Sequence, residues 1–84
     1  KAFPNPARPG QTVTIEQHLE SDEKVSLQVF NAAGTQMGNW NMPASKGVNQ
    51  LRFTSGQHWA AGTYFFRILY ANGRVAASGT IIIQ

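Results

Sequence analysis

The sequence predicts an all-β, antiparallel sandwich of six or seven strands. Short runs of alternating apolar and polar residues recur along the chain, and turn-forming residues separate them at regular intervals. No amphipathic helical period of useful length interrupts this pattern. The chain has 84 residues, the size of one small domain, so we expect residues 1–84 to form a single unit around one core.

The chain opens with Phe3-Pro4-Asn5-Pro6, which we expect to run extended along an edge of the fold. Each proline removes a backbone donor and pushes the preceding residue towards extended geometry. Pro9-Gly10 marks a turn, and Val13 and Ile15 then alternate with polar neighbours as in a half-buried strand. The acidic stretch 16–23 is predicted to be a solvated connection.

A clear strand is predicted from Val25 to Asn31, because its apolar residues alternate with polar ones. Asn31-Ala32-Ala33-Gly34 then suits a type I turn closed by a glycine bulge, in which Asn31 pairs with Thr35.

This turn would place Val29 opposite Met37 on the core side. Trp40 and Met42 fall on the opposite parity from Met37, so we expect a bulge or bend near Gly38-Asn39. Loops are predicted at 43–47 and 54–61, on either side of a further strand that contains Leu51 and Phe53.

The strongest strand signal is 62–70, which is rich in β-branched and aromatic residues. Asn72-Gly73 is the preferred pair for a two-residue type I′ turn, which would set Ala71 opposite Arg74. The apolar face of this hairpin would then pair Tyr70 with Val75, Ile68 with Ala77, Phe66 with Gly79 and Tyr64 with Ile81. The more polar face would pair Arg67 with Ser78 and Phe65 with Thr80. The ring of Phe66 would cover the strand glycine Gly79.

Tyr64 follows Gly62 at the start of a core strand, as in the tyrosine corner of immunoglobulin-like sandwiches. We interpret Tyr64 as structural, with Trp59 as its packing partner. The predicted fold class is therefore an immunoglobulin-like β-sandwich.

The charge pattern argues against a nucleic-acid partner. The formal net charge is +3, but all four acids lie between 16 and 23, and the seven basic residues are scattered singly along the rest of the chain. No apolar run approaches the length of about 18 residues that a membrane span needs, so we expect no stable membrane insertion.

Catalytic motifs and cofactor motifs are absent from the sequence. The chain has no cysteine, and Glu20, Asp22 and Glu23 lack the spacing and glycine of a calcium loop. His58 near Ser55 is more simply a solvated loop histidine than half of a nucleophile pair. We expect no enzyme activity, no cofactor and no metal.

Three ordered segments resemble the C-terminal sorting domains of type IX secretion cargo. Phe3-Pro4-Asn5-Pro6 is similar to that family's aromatic-Pro-Asn-Pro opening, and 25–34 is similar to its strand followed by Asp-x-x-Gly. Trp59-Ala60-Ala61-Gly62-Thr63-Tyr64 resembles its Leu-x-x-Gly-x-Tyr. Asn31 stands where the family usually has Asp, Trp59 stands where it has Leu, and Arg74 is the basic residue nearest to the last strand.

The resemblance implies a tail domain of a larger cargo protein, joined to it at the upstream end. Such a tail folds in the periplasm and is recognised by the outer-membrane translocon. A sortase-like peptidase then removes it, and the cargo reaches the cell surface or the medium. We expect such a domain to end its parent chain within a residue or two of Gln84.

The final hairpin is the candidate recognition element. Three isoleucines are consecutive, so Ile82 points away from the face that buries its neighbours and invites strand addition by a partner. The candidate recognition residues are Arg74, Ile81, Ile82, Ile83 and Gln84. A simpler possibility is that Ile82 packs under the segment around Phe3.

The alternative function is a carbohydrate-binding or adhesive module of an extracellular enzyme, with the same sandwich architecture. Trp40, exposed together with Tyr70 or Phe65, would stack on a sugar ring. The amides of Asn39, Asn41 and Asn49 would supply the hydrogen bonds.

Overall fold

A computed structural model describes residues 1–84 and contains seven β-strands and no helix. The strands are β1 (Ala2–Phe3), β2 (Thr12–Leu19), β3 (Val25–Phe30), β4 (Gln36–Met42), β5 (Gly47–Thr54), β6 (Gly62–Tyr70) and β7 (Val75–Ile83). They form two sheets, one in the order β1-β2-β5 and the other in the order β4-β3-β6-β7. Every pair of neighbouring strands is antiparallel, which confirms the predicted sandwich. The structure has no helix that is long and apolar enough to cross a membrane.

The core lies between the two sheets and receives alternate side chains from each strand. In β3, for example, Val25, Leu27 and Val29 are buried while the residues between them are partly exposed. This alternation is the period-two pattern of a sheet with one face against a core. The buried apolar cluster comprises Ala7, Val13, Ile15, Leu19, Val25, Leu27, Val29, Leu51, Phe53, Tyr64, Phe66, Ile68, Tyr70, Ile81 and Ile83.

The prediction for the acidic stretch is wrong in its first half. Strand β2 continues through Glu16 to Leu19, and the side chain of Leu19 is fully buried. The reason is tertiary: β5 pairs with β2 along its whole length, from Thr12 opposite Thr54 to Leu19 opposite Gly47. Only residues 20–24 form the solvated connection.

Those connecting residues are tied to the rest of the chain. The backbone N–H of Glu20 donates to the hydroxyl of Tyr70 at 3.0 Å, and Glu23 accepts a bond from the backbone N–H of Ala71 at 3.0 Å. Asp22 accepts a bond of 2.6 Å from the backbone N–H of Lys46. The carboxylates therefore hold loops together, and no group of three or more metal-ligating side chains is present.

The turn at Asn31 is confirmed, but the register behind it differs from the prediction. The N–H of Gly34 donates to the carbonyl of Asn31, and the N–H of Asn31 donates to the carbonyl of Thr35, both at 2.9 Å. Val29 lies opposite Gly38, not Met37, because the bulge occurs at Met37, directly after the turn.

This earlier bulge decides where the next aromatic residue points. Trp40 lies opposite the buried Leu27, and Met42 lies opposite the buried Val25. Both side chains therefore pack against the core.

The turn of the last hairpin also differs from the prediction, although most of the pairing is confirmed. The N–H of Tyr70 donates to the carbonyl of Arg74, so the loop has three residues and Gly73 alone has positive φ, at 85°. A type I′ turn needs positive φ at both central residues, and Asn72 does not have it. Val75 consequently lies opposite Leu69, not Tyr70.

A second bulge, at Ala76, then restores the predicted register. From this point Ile68 lies opposite Ala77, Phe66 opposite Gly79 and Tyr64 opposite Ile81. The alternation of apolar residues thus selects the register, since a slip of one residue would turn the buried isoleucines outward.

Candidate recognition surface

The segments that carry the sequence motifs meet at one end of the sandwich. Phe30, before the Asn31 turn, lies opposite Phe65, and Gly62 lies opposite Ile83 near the end of the last strand. Ala7 pairs with Ile83 as well. We call this region the motif end, defined by residues 5–7, 31–34, 59–64 and 81–84. Between 31–33 and 60–64 lies an open cleft of about 220 Å³.

Tyr64 forms the tyrosine corner that the sequence predicts. Its ring is buried, and its hydroxyl donates a 2.7 Å hydrogen bond to the carbonyl oxygen of Ala60, four residues upstream. Trp59 stacks on this ring with centroids 5.0 Å apart and an angle of 17° between the planes. A buried tyrosine that bonds back to the backbone in this way is typical of immunoglobulin-like sandwiches.

The three aromatic residues proposed as a sugar platform do not come together. Trp40 faces inward and contacts the ring of Phe53, with centroids 4.9 Å apart, whereas Phe65 lies on the outer face of its sheet. Tyr70 is buried, and its hydroxyl oxygen accepts a hydrogen bond from the backbone N–H of Glu20.

The amides proposed to bind a sugar are also misplaced for that role. Asn39 and Asn41 alternate with Trp40 along β4, so they point to the opposite face, and Asn41 accepts a bond from the hydroxyl of Ser26. Asn49 caps the loop before β5 through the backbone of Ser45. The structure therefore holds no assembled aromatic platform with adjacent amides.

Ser55 and His58 do not form a nucleophile pair. The hydroxyl of Ser55 is buried among the backbone groups of Arg8, Gly10 and Gln11, and it hydrogen-bonds to all three. His58 is exposed in the loop. The serine therefore joins two loops.

The candidate recognition residues divide into buried and accessible ones. Ile81 and Ile83 face the core and are each 1% exposed, whereas Ile82 is 45% exposed on the outer face and Gln84 is exposed. At the motif end, a partner that binds the folded domain can therefore touch Ile82 and Gln84 but not Ile81 or Ile83.

Arg74 lies at the other end of the last strand, in the turn before β7. Its guanidinium lies over the ring of Tyr70, 4.7 Å from the centroid, and 3.7 Å from the carboxylate of Glu20. Nine residues of β7 separate it from Gln84, so it does not share a surface with the tail.

The beginning of the chain lies along the outer edge of β7. The side-chain oxygen of Asn5 accepts a 2.9 Å bond from the backbone N–H of Ile82, and the N–H of Ala7 donates to the carbonyl of Ile82 at 2.8 Å. The N–H of Gln84 donates to the carbonyl of Ala7 at 2.9 Å. We call residues 5–7 the edge cover. The main-chain groups of Ile82 are therefore already paired within the molecule.

One feature of this surface was missed at the level of sequence, the contact of Asn5 with the tail. Pro4 and Pro6 have no N–H and leave the bonding to the Asn5 side chain, but they do not indicate which distant residue it bonds. Phe65 was predicted on the more polar face and considered for a sugar platform, and it is 45% exposed. It lies opposite Thr80 while Ile82 lies opposite Thr63, so Phe65 and Ile82 are diagonal neighbours on the outer face.

The chain matches a family model described as the secretion system C-terminal sorting domain, and the match covers residues 1–84. The chain belongs to this family of type IX secretion sorting domains. No curated protein matches it. A sorting signal of this kind directs a protein to the cell surface or the medium.

The motifs of this sorting domain serve its fold in different ways. Phe3 pairs with Thr14 in the short strand β1, and Asn5 closes the edge of β7. Asn31 and Gly34 build the turn after β3, while Trp59 and Tyr64 build the corner before β6. All of these motif residues except Phe3 lie at the motif end, where the last strand ends.

Proposed function

We propose that residues 1–84 act as one non-catalytic sorting domain, fused to an upstream cargo and read by the outer-membrane translocon. The observation that carries this proposal is the family match over the full 84 residues. After export, a sortase-like peptidase removes the domain near its upstream boundary and releases or anchors the cargo.

The surface that we propose for recognition consists of Ile82, Phe65 and Gln84 on the outer face at the motif end. One feature supports it. Ile82 and Phe65 are large apolar side chains left exposed next to each other on the outer face of their sheet. Exposed apolar neighbours of this kind commonly mark a contact with another protein. Ile81 and Ile83 contribute by holding the strand in place.

A reporter experiment tests the proposed function. The 84 residues are fused behind a periplasmic reporter in a bacterium that has type IX secretion, and reporter activity is measured in the medium. We expect activity in the medium only when the machinery is intact. Equal activity in a strain without the machinery, or none in either strain, would exclude a sorting role.

The proposed surface is tested by Ile82→Lys, with Val48→Lys as the matched control. Both residues are exposed apolar residues on strands, at 45% and 69%, but Val48 lies on the other sheet, away from the motif end. We expect Ile82→Lys to abolish export and Val48→Lys to leave it unchanged. Both should alter the free energy of unfolding by less than about 0.5 kcal/mol, as is usual for surface substitutions. Normal export of Ile82→Lys would refute the role of this side chain.

A further inference from the structure

The outer edge of β7 is closed by very few interactions. Ala7 is the single residue that pairs with the strand in ladder fashion, and Asn5 contributes one hydrogen bond of 2.9 Å to Ile82 and a long one of 3.5 Å to the carbonyl of Thr80. Asn5 and Pro6 are exposed, and the small side chain of Ala7 is the buried anchor of the segment. A segment with so few buried contacts opens at low free energy.

The groups that the edge cover occupies are those that a partner strand would use. Main-chain N–H and C=O groups on a sheet edge are a template for an added strand. At Ile82 both groups are taken by residues 5–7, so an extended polypeptide cannot pair there while the cover is in place.

We propose that the edge cover is a displaceable guard of the last strand, and that an extended strand of the export machinery must replace it to read the tail. This inference rests on the proposed sorting function. The cover lies near the upstream end of the domain. Recognition of the tail therefore depends on whether this upstream segment is bound to the edge of β7 or released from it. In the covered state the main-chain groups of Ile82 do not recruit strands from other chains.

The machinery binds only molecules in which the cover is open. The apparent affinity is therefore the intrinsic affinity multiplied by the fraction of molecules in the open state. Weakening the cover should therefore strengthen recognition, and locking it should prevent recognition. If residues 5–7 were instead part of the surface that the machinery recognises, weakening their contacts with β7 would reduce binding. The sign of the effect therefore separates the two roles.

The lock is a disulfide between Ala7→Cys and Ile83→Cys. These two residues lie directly opposite each other in the parallel pair, and both are buried, so the exposed side chains of Ile82, Phe65 and Gln84 stay intact. Adjacent segments lie about 5 Å apart, within the range of Cα separations that a disulfide spans. The native chain has no cysteine, so the oxidised and reduced forms of this one protein differ only in the bond.

Binding is measured to outer-membrane vesicles from a strain with type IX machinery, and to matched vesicles from a strain without it. We expect the oxidised form to bind at least about tenfold more weakly than the reduced form. Equal binding of the two forms would overturn the guard.

The release variant is Asn5→Ala, with Asn41→Ala as the control on the same outer face. Loss of one hydrogen bond should raise hydrogen exchange at the amides of Ile82 and Gln84 about fivefold, and should raise vesicle binding in the same sense. Asn41→Ala should change neither. Weaker binding of Asn5→Ala, or unchanged exchange, would overturn the guard. If wild-type protein does not distinguish the two kinds of vesicle, the sorting proposal fails, while the exchange data still report on the cover.

Discussion

The ring of Phe66 lies directly over Gly79 on the neighbouring strand. A Cβ atom added at Gly79 would stand 2.6 Å from Cε2 and 2.7 Å from Cζ of that ring. Phe66 is itself buried and cannot swing away without disturbing the core. We predict that Gly79→Ala lowers the free energy of unfolding by about 1–3 kcal/mol, the usual range for overpacking. Urea denaturation measures this change.

The neighbouring Ser78→Ala is the matched control, because Ser78 is exposed and should change stability by less than about 0.5 kcal/mol. In a Phe66→Leu background, the ring atoms that clash are gone, so Gly79→Ala should cost less than it does in the native chain. Equal costs in the two backgrounds would show that the ring is not the obstacle.

Tyr64→Phe should lower stability by about 1 kcal/mol, because it removes the hydroxyl that donates to the carbonyl of Ala60 at 2.7 Å. The ring, its burial and its stacking on Trp59 stay in place. The midpoint of urea unfolding should fall with an unchanged slope. Thr63→Ser, on the exposed residue beside it, is the control. A midpoint like that of the native chain would mean that the corner bond contributes no net stability.

The side chain of Asn31 forms hydrogen bonds only through its oxygen, which accepts from the backbone N–H groups of Ala33 at 3.0 Å and Thr35 at 2.9 Å. A carboxylate offers the same oxygen with a stronger, charge-assisted bond. We predict that Asn31→Asp preserves or raises thermal stability, whereas Asn31→Ala lowers the free energy of unfolding by about 1 kcal/mol. A clear loss in Asn31→Asp would show that the amide nitrogen matters.

Glu23 should make stability depend on pH in the acid range. The hydrogen bond from Ser21, and then that from the backbone N–H of Ala71, lower the pKa of its carboxyl below the ordinary value of 4.5. Because the pKa is lower in the folded state, the stabilisation is fully present above about pH 4.5 and is lost as pH falls through the folded-state pKa. The stability difference between the native chain and Glu23→Gln should therefore shrink on acidification.

NMR titration of the Glu23 carboxyl checks the cause directly. In Ser21→Ala its pKa should rise relative to the native chain, because the larger of the two favourable bonds is removed. A native-chain pKa at or above the ordinary value of 4.5 would contradict the prediction.

Local patterns predicted the strands well and their partners less well. Alternation in 25–30 and 62–70 identified β3 and β6, and Asn31-Ala32-Ala33-Gly34 identified its turn. The type I′ turn at Asn72-Gly73 was wrong, yet the pairing of Phe66 with Gly79 was right. Burying the apolar face of this hairpin stabilises the fold more than the preferred turn type does. The bulge at Ala76 allows the three-residue turn and the pairing that buries this face to occur together.

The proposed recognition surface could be predicted only in part from the sequence. Three consecutive isoleucines showed that Ile82 must face outward, since side chains alternate along a strand. The role of Asn5 could not be read in the same way, because its contact with Ile82 joins residues that are 77 positions apart.

By itself, the sequence determined the all-β class, the inward and outward faces of β3 and β6, the tyrosine corner and the family. These follow from neighbours within a few residues and from ordered motifs. Only the tertiary structure decided that β2 runs through the acidic stretch, that Trp40 faces inward, and that residues 5–7 lie along the outer edge of the last strand. These features depend on hydrogen bonds between backbone groups that are far apart in the sequence, and no local pattern predicts which of those groups pair.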